Sequence, residues 1–412
     1  MADTPRPKHS PMVQFSVTGH CLQVGGMSLT RLAQRVGQTP FFAYDRQLLS
    51  DRIRELRRQL PSSLHIHYAI KANPMPALVQ HMAQLVDGLD VASAGELRVA
   101  LDTPMPAECI SMAGPGKSER DLSTAIAAGA VVHVESSTEF ERIMELSTEM
   151  GVPPRVAVRV NPDFELKSSG MKMGGGARPF GMDAEIVPDF LKQVFSHDVE
   201  FMGFHLFAGS QNLRVESLKE AQQKTVDLAL RLAQEVPGPL KILNMGGGLG
   251  IPYFPGEESF DLSQLGPHME QLLSSIHAVR PETQVVMELG RYLVGEAGIY
   301  VCRVVDKKVS RGQTYLVTDG GLHQHLAASG NFGQVIRKNY PVAIGTRMGT
   351  QDREEVSIVG PLCTPLDLLA DKMELPRAEV GDLVVIFQSG AYGLTASPQG
   401  FLSHPAALEV LV

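Results

Sequence analysis

A lysine closing an apolar extended run is the first residue of this chain whose position could do chemistry. Lys71 ends the run Leu64-His65-Ile66-His67-Tyr68-Ala69-Ile70-Lys71, and Asn73-Pro74 breaks regular structure just beyond it. Leu64, Ile66, Tyr68 and Ile70 alternate onto one face of a pleated strand. A desolvated amine at such a strand end loses part of its proton affinity and can form a Schiff base with a carbonyl cofactor. The competing reading is a strand-end lysine whose ammonium simply reaches water. Two further groups bear on the choice. Asn244-Met245-Gly246-Gly247-Gly248-Leu249-Gly250 sets several amides without side chains in a row, a nest for a phosphate or merely a tight turn. Glu288-Leu289-Gly290-Arg291 places a carboxylate and a guanidinium about another turn. The arginine could complete a phosphate site, and the carboxylate could hold a pyridinium proton.

These residues need elements to position them. From about Pro40 to Leu289, β-rich runs alternate with helix-like stretches: Leu64–Ile70, Gly88–Ala92, Cys109–Met112, Val131–Val134, Arg155–Val160, Phe201–Phe207, Lys241–Met245 and Gln284–Met287. Between them, Asp45 can cap a helix carrying Leu49, Ile53, Leu56 and Leu60 and stopped by Pro61, and Val226–Ala233 is another good helix former. The pattern predicts an α/β fold, a TIM-like (β/α)8 barrel, with Lys71, His205, Gly246 and Glu288 all at the C-terminal strand ends where such barrels carry chemistry. After Arg291 the β-branched runs Tyr300–Val309, Thr314–Val317, Glu355–Val359 and Asp382–Phe387 predict a C-terminal β-domain, a sandwich or barrel. Strand-like Val13–Leu29 would complete it. The expected division is 1–38 for N-terminal strands joining the β-domain, 39–290 for the barrel and 291–412 for the β-domain.

Composition excludes several classes. With 43% hydrophobic and 20% charged residues in 412, the chain is ordinarily globular, and no apolar run is long enough to span a bilayer. A net charge of −8 without a basic cluster argues against nucleic acid. Met1–Pro11 carries charge and proline but no apolar stretch of signal-peptide type, so a short tail and a cytoplasmic protein are expected. Cys21, Cys109, Cys302 and Cys363 lie far apart without a CxxC pair, which predicts free thiols and no metal site.

Taken in order, the strand-end lysine, the glycine nest and the Glu-x-Gly-Arg turn resemble the fold-type III pyridoxal-phosphate decarboxylases, which include the diaminopimelate, ornithine and arginine enzymes. The resemblance runs from about Thr39 to Pro405. Arg159-Val160-Asn161-Pro162-Asp163-Phe164-Glu165, Gly209-Ser210-Gln211-Asn212, Ala327-Ala328-Ser329-Gly330-Asn331-Phe332-Gly333 and Phe401-Leu402-Ser403-His404-Pro405 are most similar to the branch associated with exosortase and exopolysaccharide gene clusters. That branch is itself similar to decarboxylases acting on an amino acid tethered to a carrier protein. The resemblance implies pyridoxal 5'-phosphate held on Lys71, with Glu288 facing the ring nitrogen. It implies Ser210, Gly246, Gly247, Gly248, Gly290, Arg291 and Tyr392 around the phosphate, with Asp90, Glu96 and Arg159 as supporting polar groups. It further implies a homodimer with shared sites, in which Cys363 of Gly360-Pro361-Leu362-Cys363 enters from the partner and reprotonates the α-carbon. On its residue type alone, Cys363 reads as a buried apolar thiol.

Two positions depart from the family pattern. Phe207 stands where a histidine usually stacks on the cofactor ring; phenylalanine keeps the flat contact, while His205, two residues earlier, either supports the site or is a core histidine. Thr364 follows Cys363 where the diamino-acid enzymes place Asp or Glu against a distal ammonium. A hydroxyl cannot offset that charge, so the expected substrate carries no free distal amine, unless Glu165 supplies the acid. Arg337, Lys338 and Tyr340 stand where relatives contact substrate; Arg337 would bind a carboxylate or else be a solvated charge. Ser168–Arg178, with Lys172 and Gly174-Gly175-Gly176, reads as a loop or an active-site lid. His323 and His325 read as structural. The function expected is decarboxylation of an amino acid, free or carrier-bound. The alternatives are a diaminopimelate decarboxylase of lysine biosynthesis, a racemase, and a catalytically silent binding protein. Glu288 argues against a racemase, which gains from a weakly protonated ring.

Overall fold

The computed structural model describes residues 8–164, 171–172 and 174–412. Ser168–Gly170 and Met173 of the stretch Ser168–Arg178, and Glu165 as an alternative acid, therefore lie outside the described residues.

All eight expected runs form strands: β1 Leu64–Ala69, β2 Gly88–Val91, β3 Ile110–Met112, β4 Val131–Val134, β5 Arg155–Asn161, β6 Glu200–Leu206, β7 Ile242–Asn244 and β8 Gln284–Leu289. Each pairs in parallel with the next, and β8 returns to β1 with Val285 opposite Leu64 and Glu288 opposite His67. The sheet is a closed barrel, which leaves no unpaired edge. Its strands are buried along most of their length on both faces, which is why apolar residues occupy successive positions in them instead of alternating strictly with polar ones.

Helices follow the strands because the strand-end loops carry capping residues. Ser93, Ser118 and Ser136 each accept from a backbone N–H in the first turn of their helices, Ala94–Leu101, Glu119–Ala128 and Ser137–Met150. Asp45 accepts from Gln47 and Leu48 N–H at the head of the helix Arg46–Gln59, as its sequence position suggests. One irregularity was not legible in the sequence: β6 bulges against β5 between Phe201 and Gly203. At Gly203, φ is +143°, and a Cβ would stand 1.9 Å from Ile242 O. Such a bulge re-aims the residues beyond it, here His205 and Phe207.

The second compact unit comprises Met1–Leu49, Ile251–Ser259 and Leu293–Val412. It therefore takes the strand Phe41–Tyr44 and the segment Ile251–Ser259, both inside the 39–290 range assigned to the barrel from sequence. Its long strand Gly298–Ser310 pairs antiparallel with Phe41–Tyr44, Gln313–Thr318 and Leu383–Ile386, and Leu408–Leu411 adds in parallel to Phe41–Tyr44. The N-terminal strands form a separate three-stranded sheet. Leu22 and Val24 of that sheet pack into a core with Phe41, Ile299, Val301 and Val385. Among the described residues no helix is long and apolar enough to cross a membrane, and no group of three His, Cys, Asp or Glu could hold a metal ion.

Candidate active site

Lys71 sits in the turn Ile70–Ala72 immediately after β1. Tyr68 Oη donates to Asn73 O at 2.8 Å and Asn73 Oδ1 accepts from Met75 N–H at 3.1 Å, pinning the chain on either side of the turn. The Lys71 side chain is 46% exposed, with Nζ 3.5 Å from Glu288 Oε1. The desolvation expected of this amine is thus not supplied by the barrel alone, because the side chain stands in an open mouth. Glu288, at the end of β8, is the buried partner, only 6% exposed. Its second oxygen lies 3.2 Å from His205 Nε2, within ion-pair reach although not aligned as a good hydrogen bond. Burial alone would raise the Glu288 carboxyl. The Lys71 ammonium, His205 and Arg159 outweigh it and hold the group well below the usual carboxylate range.

Lys71, Asp90, Arg159, His205, Phe207 and Glu288 line one cavity of about 190 Å³. The Phe207 ring centroid is 5.8 Å from Lys71 Nζ, which keeps a flat apolar face beside the amine. Asp90 accepts from Ser111 Oγ at 2.6 Å and pairs with His67 Nδ1 at 3.1 Å. Glu96 Oε2 accepts from Ala92 N–H, and burial raises its carboxyl against the pull of Lys71. Arg159 donates to Glu135 Oε1 at 2.8 Å and lies 5.3 Å from the Phe180 ring centroid. The same carboxylate accepts from Gly114 and Gly181 N–H, so Glu135 ties three loops of the mouth together.

Sequence reasoning missed Glu135, His67, His133 and Phe180. Glu135 directly follows the run Val131–Val134, so the rule that barrel chemistry gathers at strand ends, applied to the fourth strand, would have found it.

Beside this cavity the glycine loop forms a second hollow. Gly247 and Gly248 line it with Gly209 and Asn212, next to the helix Val215–Leu232. A Cβ on Gly247 would stand 2.0 Å from Glu288 O, and one on Gly246 would stand 2.9 Å from Phe207 Cδ2. Only glycine lets this backbone lie against both β8 and Phe207. Ser210 lies in the short strand Gly209–Ser210, which pairs with Met171–Lys172. A Cβ on Gly290 would meet Ala72 Cβ at 3.1 Å, so the turn before Arg291 lies against the turn that carries Lys71.

The remaining candidates belong to the β-unit. Cys363 is exposed, which removes its reading as a buried apolar thiol. Its loop is tied by Asp367, whose carboxylate accepts from Leu322 N–H at 2.6 Å and Leu362 N–H at 2.9 Å. Thr364 Oγ1 accepts from Leu366 N–H at 3.3 Å. Arg337 is not a solvated charge: it donates to Ser329 O, Asn339 Oδ1 and Leu368 O and clasps its own loop. Tyr340 is buried, with its ring 4.7 Å from that of Tyr253. Tyr392 adopts a left-handed backbone with φ +53°, a costly conformation for an aromatic residue. His325 bonds Ser389 Oγ at 2.8 Å, and His323 packs 5.2 Å from His404; both are buried in the β-unit.

A barrel-mouth lysine facing a buried carboxylate, beside glycines whose close packing leaves no room for side chains, defines an enzyme that holds a phosphorylated aldehyde cofactor. Amine, buried carboxylate, flat aromatic face and glycine cradle together fit pyridoxal phosphate. The model for the pyridoxal-binding domain of pyridoxal-dependent decarboxylases matches residues 46–295. The chain is 36% identical over 389 residues to the L-glutamyl-[BtrI acyl-carrier protein] decarboxylase of Niallia circulans, covering 93% of this chain and 90% of that one. It is 32% identical over 394 residues to the diaminopimelate decarboxylase of Aquifex aeolicus, covering 95% and 90%. The crystal structure of diaminopimelate decarboxylase from M. jannaschii with L-lysine superposes with a TM-score of 0.88 at 25% identity, covering 97% and 92%. The chain belongs to the pyridoxal-dependent decarboxylases of the ornithine, arginine and diaminopimelate type. It is a pyridoxal-phosphate-dependent amino-acid decarboxylase.

Proposed function

We propose that the chain removes the α-carboxylate of an amino acid that presents no distal ammonium and is delivered on a carrier protein. The observation that carries this reading is Thr364, a neutral side chain directly after Cys363. An unpaired distal ammonium brought to that position would lose hydration without gaining a counter-charge. The likeness to a relative named for a carrier-bound glutamyl substrate supports it.

When bound, pyridoxal phosphate supplies an aldehyde for the substrate amine and a ring that draws off the electron pair left by departing CO2. Lys71 Nζ holds the aldehyde between turnovers. Glu288, kept ionised by its cationic neighbours, holds a proton on the ring nitrogen. Gly246, Gly247, Gly248, Ser210, Gly290, Arg291 and Tyr392 would bind the phosphate, and Phe207 would offer the cofactor a flat apolar face. Asp90 and Arg159 fix the walls of the mouth. Cys363 Sγ–H gives a proton to the α-carbon after CO2 leaves. Arg337 and Tyr340 shape the loop that carries the substrate-facing residues.

The working unit is a homodimer in the cytoplasm, with Cys363 of each copy completing the site of the other. The exposed thiol and the exposed apolar side chains of Phe332, Leu366, Phe401 and Leu402 support the dimer, and four free cysteines support the compartment. CO2 release should be measured on aminoacyl carrier-protein thioesters beside free glutamate, lysine, ornithine and meso-diaminopimelate. Thioester turnover well above that of the free diamino acids is expected. Efficient turnover of free meso-diaminopimelate would replace this reading with that of a diaminopimelate decarboxylase.

A further inference from the structure

Glu288 has two oxygens with different partners. Oε1 faces Lys71 Nζ at 3.5 Å, on a side chain that is 46% exposed and is the amine assigned to the cofactor. Once that amine is engaged it no longer offers an ammonium to the carboxylate. Oε2 faces His205 Nε2 at 3.2 Å, and His205, on β6, is 2% exposed. A neutral imidazole with its proton on Nδ1 would turn a lone pair on Nε2 toward a carboxylate, which is repulsive. Whether neutral with the proton on Nε2 or doubly protonated, His205 presents an N–H to Glu288.

The ring is held from behind. His133, from β4, packs against it with centroids 4.5 Å apart. Burial and the neighbouring His205 keep His133 well below the usual histidine range, so it is a neutral ring. Nδ1 of both histidines is buried without a hydrogen-bond partner, and His205 Nε2 has Glu288 Oε2 at 3.2 Å as an ion-pair neighbour that a small rotation would bring into line. A buried polar atom left unpaired is costly, and a site that tolerates such atoms gains something in return. The bulge in β6 aims His205 at this point. The other charged groups about the pair are Arg159 and Lys117, with Lys71, Asp90 and His67 on the Glu288 side, His67 being the register partner of Glu288 on the adjacent strand.

We propose that His205 is the positioning residue of Glu288: it donates from Nε2 to Oε2 and fixes the carboxylate toward the ring nitrogen, with His133 fixing the plane of its imidazole. This rests on the reading of Glu288 as the ring-nitrogen partner. Phe207, which lines the same cavity with its ring 6.4 Å from that of His205, has no polar atom and cannot share the task.

The test has one arm without cofactor and one with it. In the apoprotein, ¹⁵N NMR of wild type and His205→Gln should assign a protonated Nε2 to His205, with a signal that shifts in Glu288→Gln; protonation at Nδ1 alone would overturn the proposal. In the holoenzyme, His205→Phe should lower kcat about 10- to 100-fold, the range seen when a group orienting a reacting residue is removed, with KM within about twofold. His205→Gln, which retains a donor, should recover part of that loss. Reconstituted with the 1-deaza analogue, which has carbon in place of the ring nitrogen, wild type and His205→Phe should become equal. An undiminished loss with the analogue would assign His205 to packing alone. If Glu288→Gln had no effect with normal cofactor, the ring-nitrogen reading would fall, and the NMR arm would still decide whether His205 holds Glu288.

Discussion

The barrel mouth and the Cys363 loop treat their reactive groups in opposite ways. At the mouth, charge is buried and answered within the same unit: Glu288 by Lys71 and His205, Arg159 by Glu135, Lys117 by Glu139. The loop in the β-unit is tied just as firmly, by Asp367, yet it leaves its thiol exposed. Groups whose work is electrostatic must be arranged in advance in a low-dielectric setting, which the barrel provides. The proton donor proposed for the loop needs only the right place at the right moment, and an exposed thiol acquires its setting from whatever covers it. The sharpest way to break this contrast is to remove the amine. Lys71→Ala should fold and melt as the wild type does, while CO2 release falls by about 10³-fold or more, since its partners cannot substitute for a covalent anchor. The purified wild type should be yellow, and borohydride should fix the cofactor to Lys71. Attachment to a different lysine would move the centre of the site.

Removing the thiol should cost less. Cys363→Ala is expected to slow product formation about 10²-fold, an ordinary general-acid effect, and to divert some product to aldehyde through protonation at the wrong carbon. Mixed with inactive Lys71→Ala, it should regain partial activity, because one hybrid site would carry both intact groups. If no mixture recovers activity, Cys363 acts within its own chain or not at all.

The two regions also differed in how much of them could be read from residues. The eight barrel strands were legible because parallel strands buried on both faces write themselves as short apolar runs. Lys71, Gly246 and Glu288 were legible because they end such runs. His133 and His67 were not, since a polar residue inside an apolar strand gives no hint of the neighbour it meets across the barrel, whereas Glu135 ends the fourth run and was open to the same rule. Phe41–Tyr44 is an apolar run like the others, and nothing local says that its partner is Gly298–Ser310, far along the chain. The clasp made by Arg337 likewise depends on Leu368 O, brought near only by folding. Cys363 would have been passed over as a core thiol without the family resemblance.

The loop offers a finer probe of substrate choice. Thr364→Glu should place a carboxylate beside Cys363 and raise kcat/KM for at least one of lysine, ornithine and meso-diaminopimelate by about tenfold, as expected for a partly desolvated charge pair worth about 1.4 kcal/mol. The same change should depress turnover of a substrate without a distal cation. A variant with unchanged preferences would mean that Thr364 does not face the distal end of the substrate.

The smallest effect concerns proton binding, where the units again differ. Glu288 in the barrel is a buried ion held below its ordinary value, so the stability it contributes is present above about pH 4.5 and is lost only as pH falls toward its depressed folded value. His325 in the β-unit is a buried neutral base, among Phe42, Tyr300 and Tyr340 with Ser389 as its polar partner, and burial pushes it down to about 3. Below its unfolded value of about 6.5 the unfolded chain takes up a proton there that the folded chain refuses, so stability falls with pH from that point. One such proton contributes a slope of about 1.4 kcal/mol per pH unit once the unfolded histidine is mostly protonated. His323, pushed to about 4 by burial and the nearby His404, adds to the same slope. Between pH 6.5 and 4.5, His325→Gln should therefore flatten the decline in stability measured by urea unfolding, whereas Glu288→Gln should leave its slope unchanged. If Glu288→Gln alters the slope in that window while His325→Gln does not, the ionised group and the neutral one have been assigned to the wrong units.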